Sequence, residues 1–270
     1  MNKTIGFIGC GNMAQAIIGG VISSGLVKPK NVISSDMDNN KLNKISDELN
    51  INITNDNKEV AKVSDILVLA IKPHIYNIVI KEIKDMVKDD VIIVIIAAGK
   101  NIKSVEEGFN KNIKVVRTMP NTPALVGEGM TAMCFNNKIT DDEKEEVINI
   151  FESFGKVEIL KEDLIDFVPA VSGSSPAYVF MFIEAMADAA VLDGIPREKA
   201  YNFAAQAVLG AAKMVLETGK HPGELKDMVC SPKGTTIEAV AKLEEMGLRN
   251  AVISAMRSCS EKSLEMLGKK

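Results

Sequence analysis

The sequence predicts an α/β domain followed by an all-helical domain. In the first half, apolar runs of four to seven residues alternate with amphipathic stretches, which is typical of strands buried on both faces of a parallel sheet. After about Leu160 the strand pattern stops, and long Ala-rich stretches follow. We therefore predict a doubly wound, mostly parallel sheet over residues 1–162 and a helical domain over residues 163–270.

Eight strands are predicted, each from a short apolar run. They are KTIGFI, NVISS, INIT, DILVLAI, VIIVIIA, IKVVRT, MTAMCF and KVEIL, in chain order. Helices are predicted between several of them, at residues 12–24, 39–49, 75–87 and 141–154. Four longer helices are predicted in the second half, at residues 174–194, 196–219, 235–247 and 248–267, the first two beginning with Ser-Pro or Pro.

The composition excludes several classes of protein. The chain has 270 residues and a formal net charge of −4, and 4% of its residues are aromatic, so neither a basic surface nor a base-stacking surface for nucleic acid is indicated. The four cysteines are widely separated, which favours neither a zinc site nor a disulfide framework. No signal pattern opens the chain, and the longest apolar runs are shorter than a membrane span. We expect a cytoplasmic protein with no nucleic-acid or membrane partner.

Within the helix predicted at residues 174–194, the residues from 178 to 192 are apolar or small nearly all the way round. A helix of that kind is covered from several sides. A second copy of the chain would cover it in an obligate dimer, which we favour, and a central position in its own bundle is the alternative.

The segment between the first strand and the first helix fits the pattern G-x-G-x-x-A. Gly9 would form the tight turn, Gly11 would let a pyrophosphate approach the backbone, and Ala14 would pack the helix against the strand. Strand and helix on either side are the context that this pattern requires, so we predict a dinucleotide site. A tight packing loop without a ligand is the alternative, and Cys10 is interpreted as a small filler.

The end of the second strand should lie near the adenosine ribose of such a cofactor. Asp36 could accept hydrogen bonds from the ribose hydroxyls of NAD. Ser34 and Ser35 could instead donate to the phosphate of NADP, with Lys41 or Lys44 supplying charge. The sequence leaves these alternatives open.

A second candidate site lies in SPKGTTIEAV, residues 231–240. Thr235 and Glu238 have the spacing of a capping box at a helix start. A helix start after a glycine loop also suits an anion, because its first N–H groups are unpaired. A small carboxylate is therefore a candidate ligand, and a helix cap without a ligand is the alternative.

The chain resembles the pyrroline-5-carboxylate reductase family from end to end. The resemblance rests on GFIGCGNMA, AIKPH, IAAG, MPNTPALVGEGM, VSGSSPAY, HPGELKDMVCSP and GTTIEAV, in this order and spacing. It implies an N-terminal Rossmann domain and a C-terminal helical domain that binds substrate and dimerises. It also implies reduction of 1-pyrroline-5-carboxylate, a cyclic imino acid, to L-proline with NADPH, or alternatively NADH, by a homodimer or a higher oligomer of dimers.

The resemblance also implies roles for individual residues. Cofactor-binding residues would be Ile8, Gly9, Cys10, Gly11, Asn12, Met13, Ala14, Ser34, Ser35, Asn57, Ala70, Ile71, Lys72, Pro73, Ala97, Ala98 and Gly99. Substrate-binding residues would be Ser231, Gly234, Thr235 and Thr236. Thr236 would be the catalytic residue, in contact with the ring nitrogen or the carboxylate. Independently, AIKP and AAG follow the fourth and fifth predicted strands, where ligands bind in open α/β sheets.

Lys233 departs from the family, in which glycine is usual at this position. Either the loop is not left-handed here, because a left-handed conformation strains a residue with a Cβ atom, or Lys233 adds positive charge beside the carboxylate.

The sequence offers no evident general acid, since we interpret His74 and His221 as surface turn residues. An imine tolerates this, because its nitrogen can enter already protonated. Two other functions compete with the reductase. One is a β-hydroxyacid dehydrogenase, whose fingerprint motifs are absent, and the other is a nucleotide-sensing protein without turnover, which would have no need of the GTT loop.

Overall fold

The computed structural model describes residues 1–268 and divides into two compact units. The first comprises Met1–Ser174 together with the chain from Cys259 onward, and the second comprises Ser175–Ser258. The first unit thus extends past residue 162, where we predict the domain boundary. Whether the functional domains divide at residue 162 stays a prediction.

The first unit is built on one eight-stranded sheet. Its strands are β1 (Ile5–Ile8), β2 (Val32–Ser35), β3 (Asn52–Thr54), β4 (Ile66–Leu69), β5 (Ile92–Ile95), β6 (Lys114–Met119), β7 (Gly129–Phe135) and β8 (Gly155–Ile159). The spatial order is β3-β2-β1-β4-β5-β6-β7-β8. Every neighbouring pair is parallel except β6 with β7. All eight predicted strands are present, and the predicted fold class is confirmed.

Successive residues of the central strands point into two separate apolar clusters. In β4, Ile66 and Val68 belong to one cluster, whereas Leu67 and Leu69 belong to the other. All four side chains are inaccessible to solvent. Because side chains alternate between the two faces of a strand, the sheet is covered on both faces. This explains why the strands read as unbroken apolar runs.

Seven α-helices belong to the described part of this first unit before residue 174. They are α1 (Asn12–Ser23), α2 (Asn39–Leu49), α3 (Asn57–Val63), α4 (Tyr76–Ile83), α5 (Ile102–Phe109), α6 (Asp141–Glu152) and α7 (Glu162–Ile165). Three of these helices, α3, α5 and α7, were not predicted. They have seven, eight and four residues, and short helices show few repeats of apolar positions. The equally short α4 was predicted, but over 75–87, beyond its eight residues.

The second unit is helical. Its elements are α8 (Ser175–Leu192), α9 (Arg197–Thr218), α10 (Pro222–Val229), α11 (Thr235–Glu245) and the first turns of α12 (Leu248–Met266). The turn between α8 and α9 is closed by an ion pair between Asp188 and Arg197. The short helix α10 was not predicted. It begins at Pro222, and the His221 ring nitrogen Nδ1 caps it by accepting from the Gly223 amide.

A buried ion pair attaches α7 to the sheet. The Arg117 guanidinium on β6 donates to Asp166 Oδ1 over 2.6 Å, and both side chains are 1% exposed. The Asp166 carbonyl accepts from the Ser263 hydroxyl of α12 over 2.8 Å. Because these contacts pair residues far apart in sequence, they give a physical reason why residues 163–174 and the end of α12 belong to the first unit.

Large apolar side chains remain exposed on α8 and α9 within the second unit. Phe180, Met181, Phe203 and Leu216 are each more than 60% exposed. The helical stretch Glu162–Leu192 is also long and apolar enough to cross a membrane, by length and composition alone. No unbroken apolar run in the sequence reaches that length, so this property was not predicted. Several large exposed apolar side chains on two packed helices are typical of an interaction surface.

Candidate functional site

The loop between β1 and α1 turns sharply at Gly9. Gly9 has φ 96°, a conformation that glycine adopts without strain. A Cβ atom at this position would lie 2.4 Å from the Ala70 carbonyl oxygen. The loop is also tied to its neighbours, since the Gly9 amide donates to the Ser35 carbonyl and the Ala70 amide to the Ile8 carbonyl, each over 2.8 Å. Glycine is therefore required here by both conformation and space.

Gly11 leaves the start of α1 open. It is the N-cap residue of α1, and no side chain caps the helix. A Cβ atom on Gly11 would meet no atom within 4 Å. The start of α1 is consequently uncapped by side chains and unobstructed at Gly11, an arrangement that suits phosphate groups. Ala14, one turn later, is buried in the core. These residues fit the pyrophosphate of a dinucleotide.

Asp36 is bound by the backbone of the loop. Its Oδ2 accepts from the Cys10 amide over 2.7 Å, and its Oδ1 accepts from the Asp38 amide over 2.9 Å. Asp36 thus holds the conformation of the loop. It also lines the cleft described below, and each carboxylate oxygen can accept a further hydrogen bond, so its role as an acceptor for ribose hydroxyls stays a prediction.

The Cys10 side chain is enclosed by the same loop. It is inaccessible to solvent, and burial raises the pKa of its thiol. A buried protonated thiol is unreactive, which supports its interpretation as a filler.

Ser34 and Ser35 end β2, and both are fully buried. The Ser35 hydroxyl donates to Asn57 Oδ1 over 2.8 Å, so these two predicted cofactor residues are in contact. The two lysines suggested as partners of an NADP phosphate have different surroundings. Lys41 lies in the cleft described below and is 3.4 Å from Asp38, whereas Lys44 is 3.9 Å from Glu48.

A cleft of about 770 Å³ lies at the carboxyl ends of the central strands. This volume is ordinary for a site that holds a small molecule or cofactor. Eleven of the predicted cofactor residues line it: Gly9, Gly11, Asn12, Met13, Ala14, Ala70, Ile71, Lys72, Pro73, Ala97 and Ala98. These eleven residues come from three separate parts of the sequence, which thus meet in one place.

The cleft also differs from the prediction. Six predicted residues do not line it: Ile8, Cys10, Ser34, Ser35, Asn57 and Gly99. Six others that we did not predict line it: Ile75, Ile96, Pro120, Thr122, Leu125 and Met266. The motif MPNTPALVGEGM contains three of these, so its presence was a signal for them. Nothing in the sequence pointed to Met266, which lies close to Gly99.

Tyr76 supports the loop that forms one wall of the cleft. It is fully buried, and its hydroxyl donates to the Leu69 carbonyl over 2.6 Å. Burial raises the pKa of this phenol above its usual range, so the hydroxyl stays protonated and keeps its donor role. Tyr76 was not predicted, because an apolar pattern does not distinguish a tyrosine that hydrogen-bonds a loop from other core residues.

The candidate substrate loop lies in the second unit, between α10 and α11. The Gly234 amide donates to the Ser231 carbonyl over 3.0 Å, and a Cβ atom on Gly234 would lie 2.3 Å from Ser231 Oγ. The capping box predicted for Thr235 and Glu238 is wrong: α11 begins at Thr235, and its N-cap is Gly234, which has no side chain to cap it. The helix start is therefore uncapped by side chains.

Lys233 has φ 58°. The loop is thus left-handed at this residue, so the first alternative, that it is not left-handed, is wrong, and an added positive charge is the alternative that remains. Such a conformation costs a residue with a Cβ atom about 1 kcal/mol. The Lys233 side chain is exposed.

The histidines lie at the surface, as interpreted. His74 is exposed in a short turn, and His221 is an exposed helix cap.

Two family models match the chain. "Pyrroline-5-carboxylate reductase dimerisation" matches residues 162–266. "NADP oxidoreductase coenzyme F420-dependent" matches residues 4–99, which include β1 to β5 and the glycine loop. The two matches thus fall on the helical part and on the sheet.

Curated relatives align over nearly the whole chain. The pyrroline-5-carboxylate reductase of Escherichia coli is 54% identical over 263 residues, which are 97% of this chain and 98% of that protein. The enzyme of the same name from Methanosarcina acetivorans is 43% identical over 269 residues, covering 100% of this chain and 99% of that protein.

Solved structures agree with these matches. A pyrroline-5-carboxylate reductase from Coxiella burnetii has a TM-score of 0.91 at 34% identity, covering 98% of this chain and 99% of the other. Plasmodium falciparum pyrroline carboxylate reductase, crystallised with NADP bound, has a TM-score of 0.88 at 34% identity, covering 98% of each chain.

Proposed function

The chain belongs to the pyrroline-5-carboxylate reductase family, and from that premise we propose which of its residues bind the cofactor and which bind the substrate. The enzyme reduces 1-pyrroline-5-carboxylate to proline, the last step of proline biosynthesis, as an NADP oxidoreductase. The assignment of residues is carried by one observation, the open glycine loop at the start of α1.

We assign the cofactor to the cleft at the carboxyl ends of β1, β4 and β5. The amides of the glycine loop and the first turn of α1 bind the pyrophosphate, since no side chain competes for them. Ser34, Ser35 and Asn57 lie at the adenosine end, and Ala97, Ala98 and Gly99 lie near the nicotinamide. When bound, reduced NADP supplies the hydride, and the protein supplies position and exclusion of water.

We assign the substrate carboxylate to the loop from Ser231 to Thr236. Uncapped N–H groups at the start of α11 and nearby hydroxyl groups suit a small carboxylate. Lys233 adds a positive charge to the same loop. The Thr236 hydroxyl orients the ring through its nitrogen or its carboxylate. Thr236 is partly buried, whereas Thr235 is exposed, which favours Thr236 as the catalytic contact.

This reaction needs little proton transfer from the protein. The ring nitrogen enters protonated, so the adjacent carbon is already electrophilic, and the nitrogen keeps that proton in proline. No side chain has to deliver a proton during the reduction. The two exposed histidines and the absence of an evident acid from our assignment are consistent with this chemistry.

The chain has a dimerisation domain and acts on a small molecule. We propose that the exposed apolar face of α8 and α9 is covered in a homodimer rather than by lipid, and that dimers assemble further without nucleic-acid or membrane partners. We also propose a cytoplasmic location, because the relatives are metabolic enzymes.

Steady-state rates test the assignment of the substrate loop. NADPH and NADH oxidation is measured with pyrroline-5-carboxylate for wild type, Thr236→Ala and Thr218→Ala. Thr218 is the matched control, since its hydroxyl donates to the Met214 carbonyl within α9. We expect kcat/KM for the imine to fall about 100-fold in Thr236→Ala, with the KM for NADPH unchanged and the control near wild type. Full activity in Thr236→Ala would remove Thr236 from this role, and no turnover by wild type with either cofactor would contradict the reductase.

A further inference from the structure

Met266 lines the cofactor cleft, although it stands near the end of the chain. It is the last residue of α12. A Cβ atom placed on Gly99, in the loop after β5, would lie 3.6 Å from the Met266 carbonyl oxygen and 3.8 Å from the Met266 Cβ atom. The end of α12 thus lies beside that loop. Met266 is nevertheless 56% exposed, so much of its side chain is accessible to a ligand in the cleft.

Ser263 attaches this end of α12 to the sheet. It precedes Met266 by three positions, which makes the two residues neighbours on the helix surface. Its hydroxyl donates to the Asp166 carbonyl over 2.8 Å, and the Asp166 carboxylate accepts from the Arg117 guanidinium of β6 over 2.6 Å. Ser263, Asp166 and Arg117 are each less than a tenth exposed. These buried contacts fix the last turn of α12, and Met266 with it.

The cleft residues nearest to this turn in the sheet are apolar. Ile96, Ala97 and Ala98 follow β5, and Pro120 follows the parallel neighbour β6. All four line the cleft together with Met266. The ring of reduced nicotinamide carries no charge, so it loses little hydration energy against apolar walls. A methionine side chain is flexible and adapts to the shape of what it covers.

We propose that Met266 is a cofactor-binding residue that contacts the nicotinamide ring of reduced NADP, and that Ser263 is the positioning residue that holds it there. The proposal rests on the proposed function, in which Ala97, Ala98 and Gly99 lie near the nicotinamide. It adds to that assignment a contact from the last helix of the chain. Met266 covers part of the ring and keeps water away from it.

The variant Met266→Ala tests the contact. Calorimetry measures the affinity of NADPH and of 2′-phospho-ADP-ribose, a fragment that lacks the nicotinamide ring. We expect Met266→Ala to weaken NADPH about three- to tenfold, the effect of losing roughly one buried CH2 group, and to leave the fragment unchanged. Met266→Leu keeps the apolar volume and should stay within about twofold of wild type. Equal losses for NADPH and the fragment, or no loss for NADPH, would overturn the proposal.

Met86→Ala is the matched control. Met86 belongs to the same unit and is 42% exposed, but it does not line the cleft. It should bind NADPH and the fragment as wild type does. A loss of NADPH affinity in Met86→Ala as large as in Met266→Ala would show a general effect of removing a surface methionine, which contradicts a contact with the ring.

The role of Ser263 is tested by combining variants. Ser263→Ala should weaken NADPH and spare the fragment, as Met266→Ala does. If Ser263 acts through Met266, the double variant should bind NADPH no more weakly than Met266→Ala alone, because the same contact cannot be lost twice. Losses that multiply in the double variant, or a loss of fragment affinity in Ser263→Ala, would refute the positioning role.

Gly11→Asp shows whether the cofactor assignment itself fails. Gly11 has φ −75°, and a Cβ atom there meets no atom within 4 Å, so aspartate fits without strain. Its charge should repel the pyrophosphate and weaken both NADPH and the fragment by about tenfold or more. If both bind Gly11→Asp as tightly as wild type, the cleft does not hold the cofactor, and the proposed site is wrong together with this inference. If Gly11→Asp weakens both but Met266→Ala changes neither, the cofactor site stands and the role of Met266 alone is refuted.

Discussion

The Cys10 amide donates a 2.7 Å hydrogen bond to the carboxylate of Asp36. The bond joins the glycine loop after β1 to the end of β2, which are separated by 26 positions. A second backbone amide, that of Asp38, occupies the other oxygen. The carboxylate thus shapes the loop that we assign to the pyrophosphate, and the contact with the ribose that the sequence suggests for it is a second, separate role.

Asp36→Ala separates these two roles. We expect the KM values for NADPH and NADH to rise together, by about tenfold, because the loop loses a charged acceptor for two amides. The free energy of unfolding should fall by about 1–3 kcal/mol in thermal or denaturant unfolding. Asp38→Ala is the control, since Asp38 is an N-cap of α2. A rise confined to NADH would instead show that Asp36 reads the ribose hydroxyls.

Lys233 combines a strained backbone with a charge, and two variants separate them. Lys233→Gly relieves the left-handed strain at φ 58° but makes the unfolded chain more flexible, so we expect a net stabilisation of about 0.5 kcal/mol. Lys233→Asn keeps a residue that tolerates this conformation and removes the charge. Both should raise the KM for the imine two- to threefold, because that is about the contribution of one exposed ionic contact. Unchanged KM values would show that the charge does not contact the carboxylate.

Phe203 tests the surface that we assign to the dimer. It lies on α9 and is 68% exposed. We expect Phe203→Glu to shift the protein from dimer toward monomer, since a buried unpaired charge is costly at an interface. Light scattering after size exclusion gives the mass. Ile78→Glu is the matched control, because Ile78 is also 68% exposed but lies on α4. A dimer that persists in Phe203→Glu would place the interface elsewhere.

Asp65 should make stability depend on pH. Its partial burial opposes ionisation, but hydrogen bonds from Lys88 Nζ and from the Thr4 amide outweigh that effect and lower the pKa of the carboxyl. Between this lowered pKa and the unfolded value of about 3.9, the native state binds fewer protons than the unfolded state, so stability rises with pH.

Asp65→Asn should therefore cost up to about 1 kcal/mol near pH 7, where the half-exposed pair is screened. The difference from wild type should shrink as pH falls through about 4 and below. Denaturant unfolding at several pH values measures this. Glu48→Gln removes an exposed pair with Lys44 and should cost little at any pH. A difference that stays constant on acidification would show that ionisation of Asp65 is not the cause.

The sequence by itself determined the eight strands, the change from α/β to helix, and the glycine loop. Apolar runs such as DILVLAI are visible because strands covered on both faces leave no polar positions. Gly9 is visible because its backbone conformation and the nearby Ala70 carbonyl admit only glycine, and Gly11 is visible because it stands two residues later, before a helix start, in the G-x-G-x-x-A pattern. The pattern lies within six consecutive residues, so the sequence alone shows it. Motifs such as MPNTPALVGEGM and GTTIEAV identified the family in the same way.

Only the tertiary structure decided which partners each side chain acquired. Asp36 reads as a ribose acceptor in the sequence, but folding brings the Cys10 amide to it. Met266 lies close to Gly99, and Glu82 binds Asn57, although the partners in each pair are far apart in sequence. Lys233 shows the reverse case, in which the backbone is left-handed despite a side chain that disfavours it. Long-range packing sets these contacts, and no periodicity or spacing along the chain records them.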